Sequence, residues 1–375
     1  MAAVVLIDAT SVPANRRGVG RYVDGLIGAL EGDFAIACQA RDADYYRVLA
    51  PRATVLPQHR RLEFVPLRLV WEQLGLPGVA RRAGAQVIHS PHYTLPLFTQ
   101  RKRVVTFHDA TFFSEPQVHT PLKRVFFRFW IRASARLADA IISDSKATAA
   151  ELTRFVRRPR GYSVAYLGVD PTVFHPPSAS EIATAREEFG FGHRPWIAYL
   201  GTIEPRKNLP ELVKAYRALV SRWSDGWGAV PSLALAGGVG WGPDLQPEID
   251  LVSAPGEVRQ LGFIAVESVR AFLGGAIVVA YPSLGEGFGL PVLEGMSCGA
   301  AVLTTRRLAL PEVGGDAVAY TEVDAESIAS ALESLVSNQA QRTRLGELGL
   351  ARSREFTWAK CAAIHRSVFE ESALH

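Results

Sequence analysis

Cysteine is scarce in this sequence. Its three residues, Cys38, Cys298 and Cys361, are odd in number and far apart, which argues against a disulfide framework and offers no metal-ligand spacing. Long apolar runs are missing too: the longest, near residues 272–281, is too short to span a bilayer. Met1, Ala2 and Ala3 lead straight into an apolar strand pattern without a basic leader, so no secretory signal is expected and the cytoplasm is the default location. A complete glycine fingerprint is also absent. Gly18-Val19-Gly20 has Val23 where a third glycine would fall, and Gly240 and Gly242 around Trp241 do not restore the pattern. A nicotinamide-dependent oxidoreductase would need that glycine and an acidic ribose-binding residue about twenty positions later, so it is disfavoured.

What is present is a chain of 375 residues, 48% hydrophobic and 21% charged, long enough for two ordinary soluble domains. Charge is uneven: residues 1–175 carry 24 Lys and Arg against 14 Asp and Glu, a net of +10, which leaves −6 for the rest. Such asymmetry suits anionic lipid, a phosphorylated acceptor or nucleic acid, and it locates any basic partner surface in the first half. Strand and helix signals alternate in both halves, which implies two doubly wound α/β domains facing each other.

The stretch 281–299, YPSLGEGFGLPVLEGMSCG, carries the densest chemistry. An apolar run at 277–281 fits a buried strand that stops at Pro282, and the loop after it holds Glu286, Gly287, Phe288 and Gly289. Pro291 suits the first turn of a helix, where no backbone donor is needed. Glu294 then lies on the helix, so both carboxylates can face the crevice at the carboxyl end of the strand. Glycines and a helix N-terminus suit a polar, hydroxylated ligand there.

A second element opens with strand Trp196–Leu200, passes Gly201, and reaches Arg206 and Lys207 just before a helix from Leu209, with Asn208 read as its cap. Cations ahead of a helix N-terminus are unfavourable by ~0.3–1 kcal/mol each, and a diphosphate held between them would account for their presence. In the first half, a strand at 4–7, a loop at 8–17, Gly18 and Gly20, and a helix at 22–30 make a phosphate-capable turn. Strands at 87–89, 104–107 and Ala140–Ser143 follow. The second of these ends in His108-Asp109, with His108 set toward the ligand crevice, while Asp144 or Ser145 can cap the next helix. Asp42-Ala43-Asp44 reads as a solvated loop. Residues 59–73 and 122–136 are basic and apolar together; Arg124, Arg128, Arg132 and Arg136, four apart, form a stripe that suits either a wet core helix or an anionic surface.

EGFGLPVLE resembles the E-x7-E signature of retaining glycosyltransferases with the GT-B fold, family 4, and the phrases GTIEPRKN and Trp71-Glu72-Gln73 resemble bacterial polysaccharide mannosyltransferases. The resemblance implies that Arg206 and Lys207 hold the donor diphosphate, and that Glu286 with the backbone of Phe288, Gly289 and Leu290 holds the sugar. It further implies that Glu294 binds the ribose, that Ile264 reads the base through its backbone, and that His108 bonds the sugar near the reacting carbon. Gly18, Gly20 and Gly201 join the donor site, and Ser143 and Ser145 fall near sugar or acceptor. It implies an acceptor domain at 1–175, a donor domain at 176–355 after a joint near 168–180, and a last helix at 356–375 returning to the first domain. The reaction would move a hexosyl group, by preference mannosyl from GDP-mannose, onto a glycan or lipid-linked hydroxyl with retention; UDP-glucose and UDP-N-acetylglucosamine are the alternative donors. No cofactor, metal or nucleic acid is implied; it is the basic first half that suits peripheral contact with anionic membrane at the cytoplasmic face. A non-catalytic carbohydrate-binding protein is the alternative from another class, but it has no use for two cations and two carboxylates in one crevice.

Overall fold

The computed structural model describes residues 5–16, 18–156 and 161–374; Val4 and Arg17, at the ends of the expected first strand and loop, lie outside them, as do Met1, Ala2 and Ala3. The chain divides into two compact units, one of residues 1–168 with 357–375 and the other of residues 169–356.

The strands of the first unit are buried on both faces at the centre of the sheet, the pattern of parallel sheets covered by helices, and partly exposed at its two edges. They are β1 (Val5–Asp8), β2 (Ala35–Gln39), β3 (Thr54–Gln58), β4 (Val87–Ser90), β5 (Lys102–Phe107), β6 (Ala140–Ser143) and β7 (Ser163–Val164), arranged β3-β2-β1-β4-β5-β6-β7. Every ladder is parallel. The helix after β1 runs Val19–Ala29, starting three residues ahead of the expected 22, and it buries Tyr22, Val23, Leu26 and Ile27. Gly18, at φ 48°, is the turn into it.

The last helix, Trp358–Leu374, belongs to this unit. Its Trp358 lies where a side chain on Gly25 would be, since a Cβ there would sit 2.2 Å from the indole. Deeper in, Tyr22 Oη lies 2.7 Å from His365 Nε2 and 2.8 Å from Thr106 Oγ1, and His89 Nε2 lies 2.9 Å from the same threonine oxygen. All four are buried. Burial pushes His365 down to about 4 and His89 well below the usual imidazole range, so both are neutral at pH 7.

The second unit has β8 (Trp196–Leu200), β9 (Ser232–Ala236), β10 (Val258–Gly262), β11 (Val278–Tyr281), β12 (Val302–Thr305) and β13 (Ala319–Thr321), in the parallel order β10-β9-β8-β11-β12-β13. In each sheet the order reverses at one place, between β1 and β4 in the first and between β8 and β11 in the second. Loops leaving the carboxyl ends on either side of such a reversal diverge and leave a crevice, where open α/β sheets bind ligands.

Candidate active site

The second unit's crevice is built by the loop after β8 and the loop after β11. These strands are neighbours, with Val278 and Val279 registered on Ile197 and Ala198, so residues 201–208 and 282–289 leave the sheet side by side. Contacts then join the loops: Leu284 N donates to Arg206 O at 2.8 Å, and Ser283 Oγ lies 3.1 Å from the same oxygen. On the other flank, Gly201 N donates to Ala236 O and Ile203 N to Gly238 O. Gly237 makes that approach possible, because a Cβ on it would lie 1.8 Å from Gly201 O.

Arg206 and Lys207 occupy a 3-10 turn, Pro205–Lys207, directly before the helix Leu209–Ser221. Their charges are met by protein carboxylates. Arg206 Nη1 lies 3.0 Å from Glu286 Oε2, and its Nη2 lies 3.1 Å from Glu204 Oε1. Lys207 Nζ donates to Glu286 Oε1 at 2.7 Å and lies 3.7 Å from Glu204 Oε1. Two cations and two carboxylates therefore form one closed group, and Glu204 and Glu286 offset the helix-terminus penalty within the chain itself. Tyr281 Oη, which also accepts from Lys207 Nζ, donates to Glu286 Oε1 at 3.0 Å, and Ser283 Oγ donates to it at 2.6 Å.

The electrostatics follow from these contacts. Burial alone would raise the Glu286 carboxyl, but Arg206 and Lys207 overcome it and hold it at about 2. Burial lowers the Lys207 ammonium against the pull of Glu286, and burial with the adjacent Glu286 charge raises Tyr281 well above the phenol range. Glu286 is thus an anion and Tyr281 a neutral donor at pH 7. Asn208, expected as a side-chain cap, takes a left-handed conformation (φ 61°) and makes no cap bond; its Nδ2 donates to Val323 O at 2.7 Å. The amide is spent tying the loop to the segment before β13's following helix, Ala325–Ser337.

Glu294 is buried on the helix Leu290–Ser297, which Gly289 opens at φ 102° with Pro291 in its first turn. Phe288 is buried against the ring of Phe356, 5.8 Å away, and Ile264 is buried just past Gly262, whose carbonyl accepts from Gly237 N at 2.7 Å. Sequence reasoning had not singled out Glu204, Tyr281 or Ser283. A carboxylate two positions before Arg206, and hydroxyls at the strand end nearest Glu286, were the available signals.

In the first unit His108 leaves β5 with both ring nitrogens engaged: Nδ1 lies 2.7 Å from Asp144 Oδ2 and Nε2 lies 2.7 Å from Pro91 O. Two acceptors on opposite sides favour the doubly protonated ring. Although burial opposes it, Asp144 raises the His108 pKa above the ordinary imidazole value. Ser145 is the cap of the helix Lys146–Phe155, accepting from Thr148 N at 3.0 Å, and Ser143 Oγ donates to Ser145 O. Asp42 is not in a solvated loop: it is buried and 2.7 Å from Arg16 Nη2, whereas Asp44 is exposed and pairs with Arg47. Gly20 is buried in the first turn of the helix Val19–Ala29.

With the cationic pair, the paired carboxylates and the reversal of strand order in view, comparison with known proteins places the class. The model for "Glycosyltransferase Family 4" matches residues 16–173, and that for "Glycosyl transferases group 1" matches residues 181–352. The chain belongs to the family 4 glycosyltransferases of the GT-B fold, an enzyme of two Rossmann-like units. Among its relatives, the O-antigen chain mannosyltransferase B of Escherichia coli is 29% identical over 277 residues, 73% of this chain and 71% of that one. The MMP alpha-(1->4)-mannosyltransferase of Mycolicibacterium hassiacum is 29% identical over 67% of this chain and 59% of its own. The serotype-specific mannosyltransferase WbdA of E. coli is 28% identical over 60% of this chain, a match that spans 28% of its length. Among solved structures, sucrose-phosphate synthase from Thermosynechococcus elongatus superposes with a TM-score of 0.76 at 20% identity, covering 99% of both chains. Anabaena HepE in complex with UDP-glucose superposes with a TM-score of 0.77 at 17% identity, covering 98% of this chain and 99% of that one.

Proposed function

We propose that this enzyme transfers a mannosyl group from GDP-mannose to a hydroxyl of a glycan or lipid-linked acceptor, with retention at the anomeric carbon. The observation that carries the reading is the preassembled group of Arg206 and Lys207 on Glu286 and Glu204. A guanidinium and an ammonium held in fixed positions can take diphosphate oxygens as negative charge builds on the leaving group, and charge stabilised more in the transition state than in the ground state is catalysis. Glu286, ionised, is suited to accept sugar hydroxyls. In this reading the departing phosphate oxygen takes the acceptor's proton on the same face of the sugar, the carboxylates bind and do not act as a hydrolase acid and base pair, and the two cations fill the charge role without a metal. Glu294 binds the ribose and Ile264 the base, both within the second unit, whereas His108, with Asp144 and Pro91 O on its two ring nitrogens, has no N–H left for the sugar.

Mannosyltransferases at 29% identity favour mannose; the structural likeness to a protein holding UDP-glucose supports the second reading, a glucosyl donor. Among the described residues no helix is long and apolar enough to cross a membrane, and we place the enzyme in the cytoplasm with its basic first unit at the inner membrane face. Thermal denaturation with GDP, UDP, GDP-mannose, UDP-glucose and UDP-N-acetylglucosamine tests the donor, because a ligand at 100 times its Kd stabilises the fold by ~2.7 kcal/mol. GDP and GDP-mannose are expected to raise Tm most. A response to uridine nucleotides alone sinks GDP-mannose, and no response to any of them sinks the donor site.

A further inference from the structure

Two helices of the first unit turn apolar side chains to solvent. In the helix Val65–Leu74 the usual polarity is inverted. Arg68 and Glu72 are buried, 3.1 Å apart and braced by Thr94 Oγ1 on Glu72 Oε2 at 2.7 Å, while Val65, Leu67, Val70 and Leu74 are exposed, Leu74 by 78%. Phe64, 62% exposed, precedes it, beside Arg60 and Arg61. The helix Pro121–Leu137 carries Lys123, Arg124, Arg128, Arg132 and Arg136 and no acidic residue. Its aromatic residues divide by face: Phe127 packs against the core, whereas the outward row is Leu122, Val125, Phe129, Arg132 and Arg136, spaced three and four apart, with Leu122 80% exposed. Both helices are fastened to the segment 91–98. Gln73 Nε2 donates to Leu95 O and its Oε1 accepts from Leu97 N, and the Phe127 ring packs 5.3 Å from that of Tyr93. Phe98 closes the segment, 82% exposed.

We propose that this surface docks the enzyme on an anionic lipid bilayer, with Leu122, Val125 and Phe129 entering the headgroup boundary and Arg132 and Arg136 on lipid phosphates. Charge selects the occupant. A second copy packed face to face through the same helix would set five cations against five with no acid between them. A neutral bilayer would accept the apolar row and leave the arginines unmatched, whereas anionic headgroups satisfy both. The inference deepens the membrane placement proposed above and does not depend on which sugar is transferred.

Co-sedimentation of the full chain with phosphatidylcholine vesicles, with and without phosphatidylglycerol, tests it. The protein is expected to partition to phosphatidylglycerol vesicles, to remain free with phosphatidylcholine alone, and to be released at ~0.5 M salt. Arg132→Gln with Arg136→Gln is expected to weaken partition ~25-fold, about fivefold per charge, and Val125→Ser with Phe129→Ser ~tenfold. Neither pair touches the donor site, so the Tm shift given by nucleotide serves as the control for folding, and its absence in every variant would count against the donor reading alone. Failure of the native chain to bind phosphatidylglycerol vesicles overturns the proposal, as does full partition of both variants. Self-association lost in the serine variant would give the face to a second copy, and binding to poly-glutamate without binding to vesicles would give it to an acidic protein; either result overturns it.

Discussion

Glu286 is held from four sides, by Arg206 on one carboxylate oxygen and by Lys207, Tyr281 and Ser283 on the other. Arg206→Ala is expected to lower turnover by about 10²-fold or more with the fold intact, the scale of losing a preorganised charge-stabilising donor; near-normal steady-state rates would remove Arg206 from the chemistry. Glu286→Gln leaves two buried cations with Glu204 alone, and breaking one side of a buried ionic group costs about 3–5 kcal/mol. Its Tm should fall, and a nucleoside diphosphate should restore a larger share of stability than it adds to the native chain, because phosphate supplies the missing charge; an equal or smaller shift would place the diphosphate elsewhere. The native carboxyl sits at about 2 against an ordinary 4.5. Its stabilisation is therefore complete above pH 4.5 and lost as pH falls from 4.5 through 2, a loss that acid denaturation of the glutamine variant should lack.

At the level of elements, strands such as β1, β8 and β11 were legible because each holds a short apolar run, and β11 with its glycine loop and proline-started helix could be read directly, whereas β3, which contains Pro57 and Gln58, and the two-residue β7 carry no such signal. Contacts that close the site could not. Whether Glu204 or a bound anion balances Arg206 depends on two loops brought together by a pairing eighty positions apart, and Asn208 has a capping residue's chemistry in a left-handed conformation that the sequence does not announce. The last helix was expected to return to the first unit, yet its anchor, His365 on Tyr22, lies among partners from β4 and β5 that no local pattern links. Since His365 falls to about 4 in the folded chain from an ordinary 6.5, the unfolded state binds its proton first. Stability is then whole above pH 6.5 and declines as pH drops toward 4, by ~3 kcal/mol for this group. Urea denaturation of His365→Gln between pH 7 and 4 should show a flatter slope than the native chain; parallel slopes would reject the linkage.

Across the whole molecule, the residues proposed to hold the diphosphate, sugar, ribose and base, from Gly201 to Glu294, lie in the unit of residues 169–356. A fragment of residues 169–356 should fold cooperatively and keep a nucleotide-dependent rise in Tm, whereas residues 1–168 alone, missing the partner of Tyr22, should lack a sharp transition. A fragment of the second unit that folds but ignores nucleotides would overturn the placement of the donor within it.

The path of the chain through its two units sets an order on their birth at the ribosome. Residues 169–356 are made before the helix Trp358–Leu374, so the unit carrying Arg206 and Glu286 can finish first. The first unit must wait, its Tyr22 and Thr106 hydroxyls and His89 imidazole without His365, until the helix Trp358–Leu374 has been made. A stop codon just ahead of Trp358 would thus spoil the half of the protein that was made first.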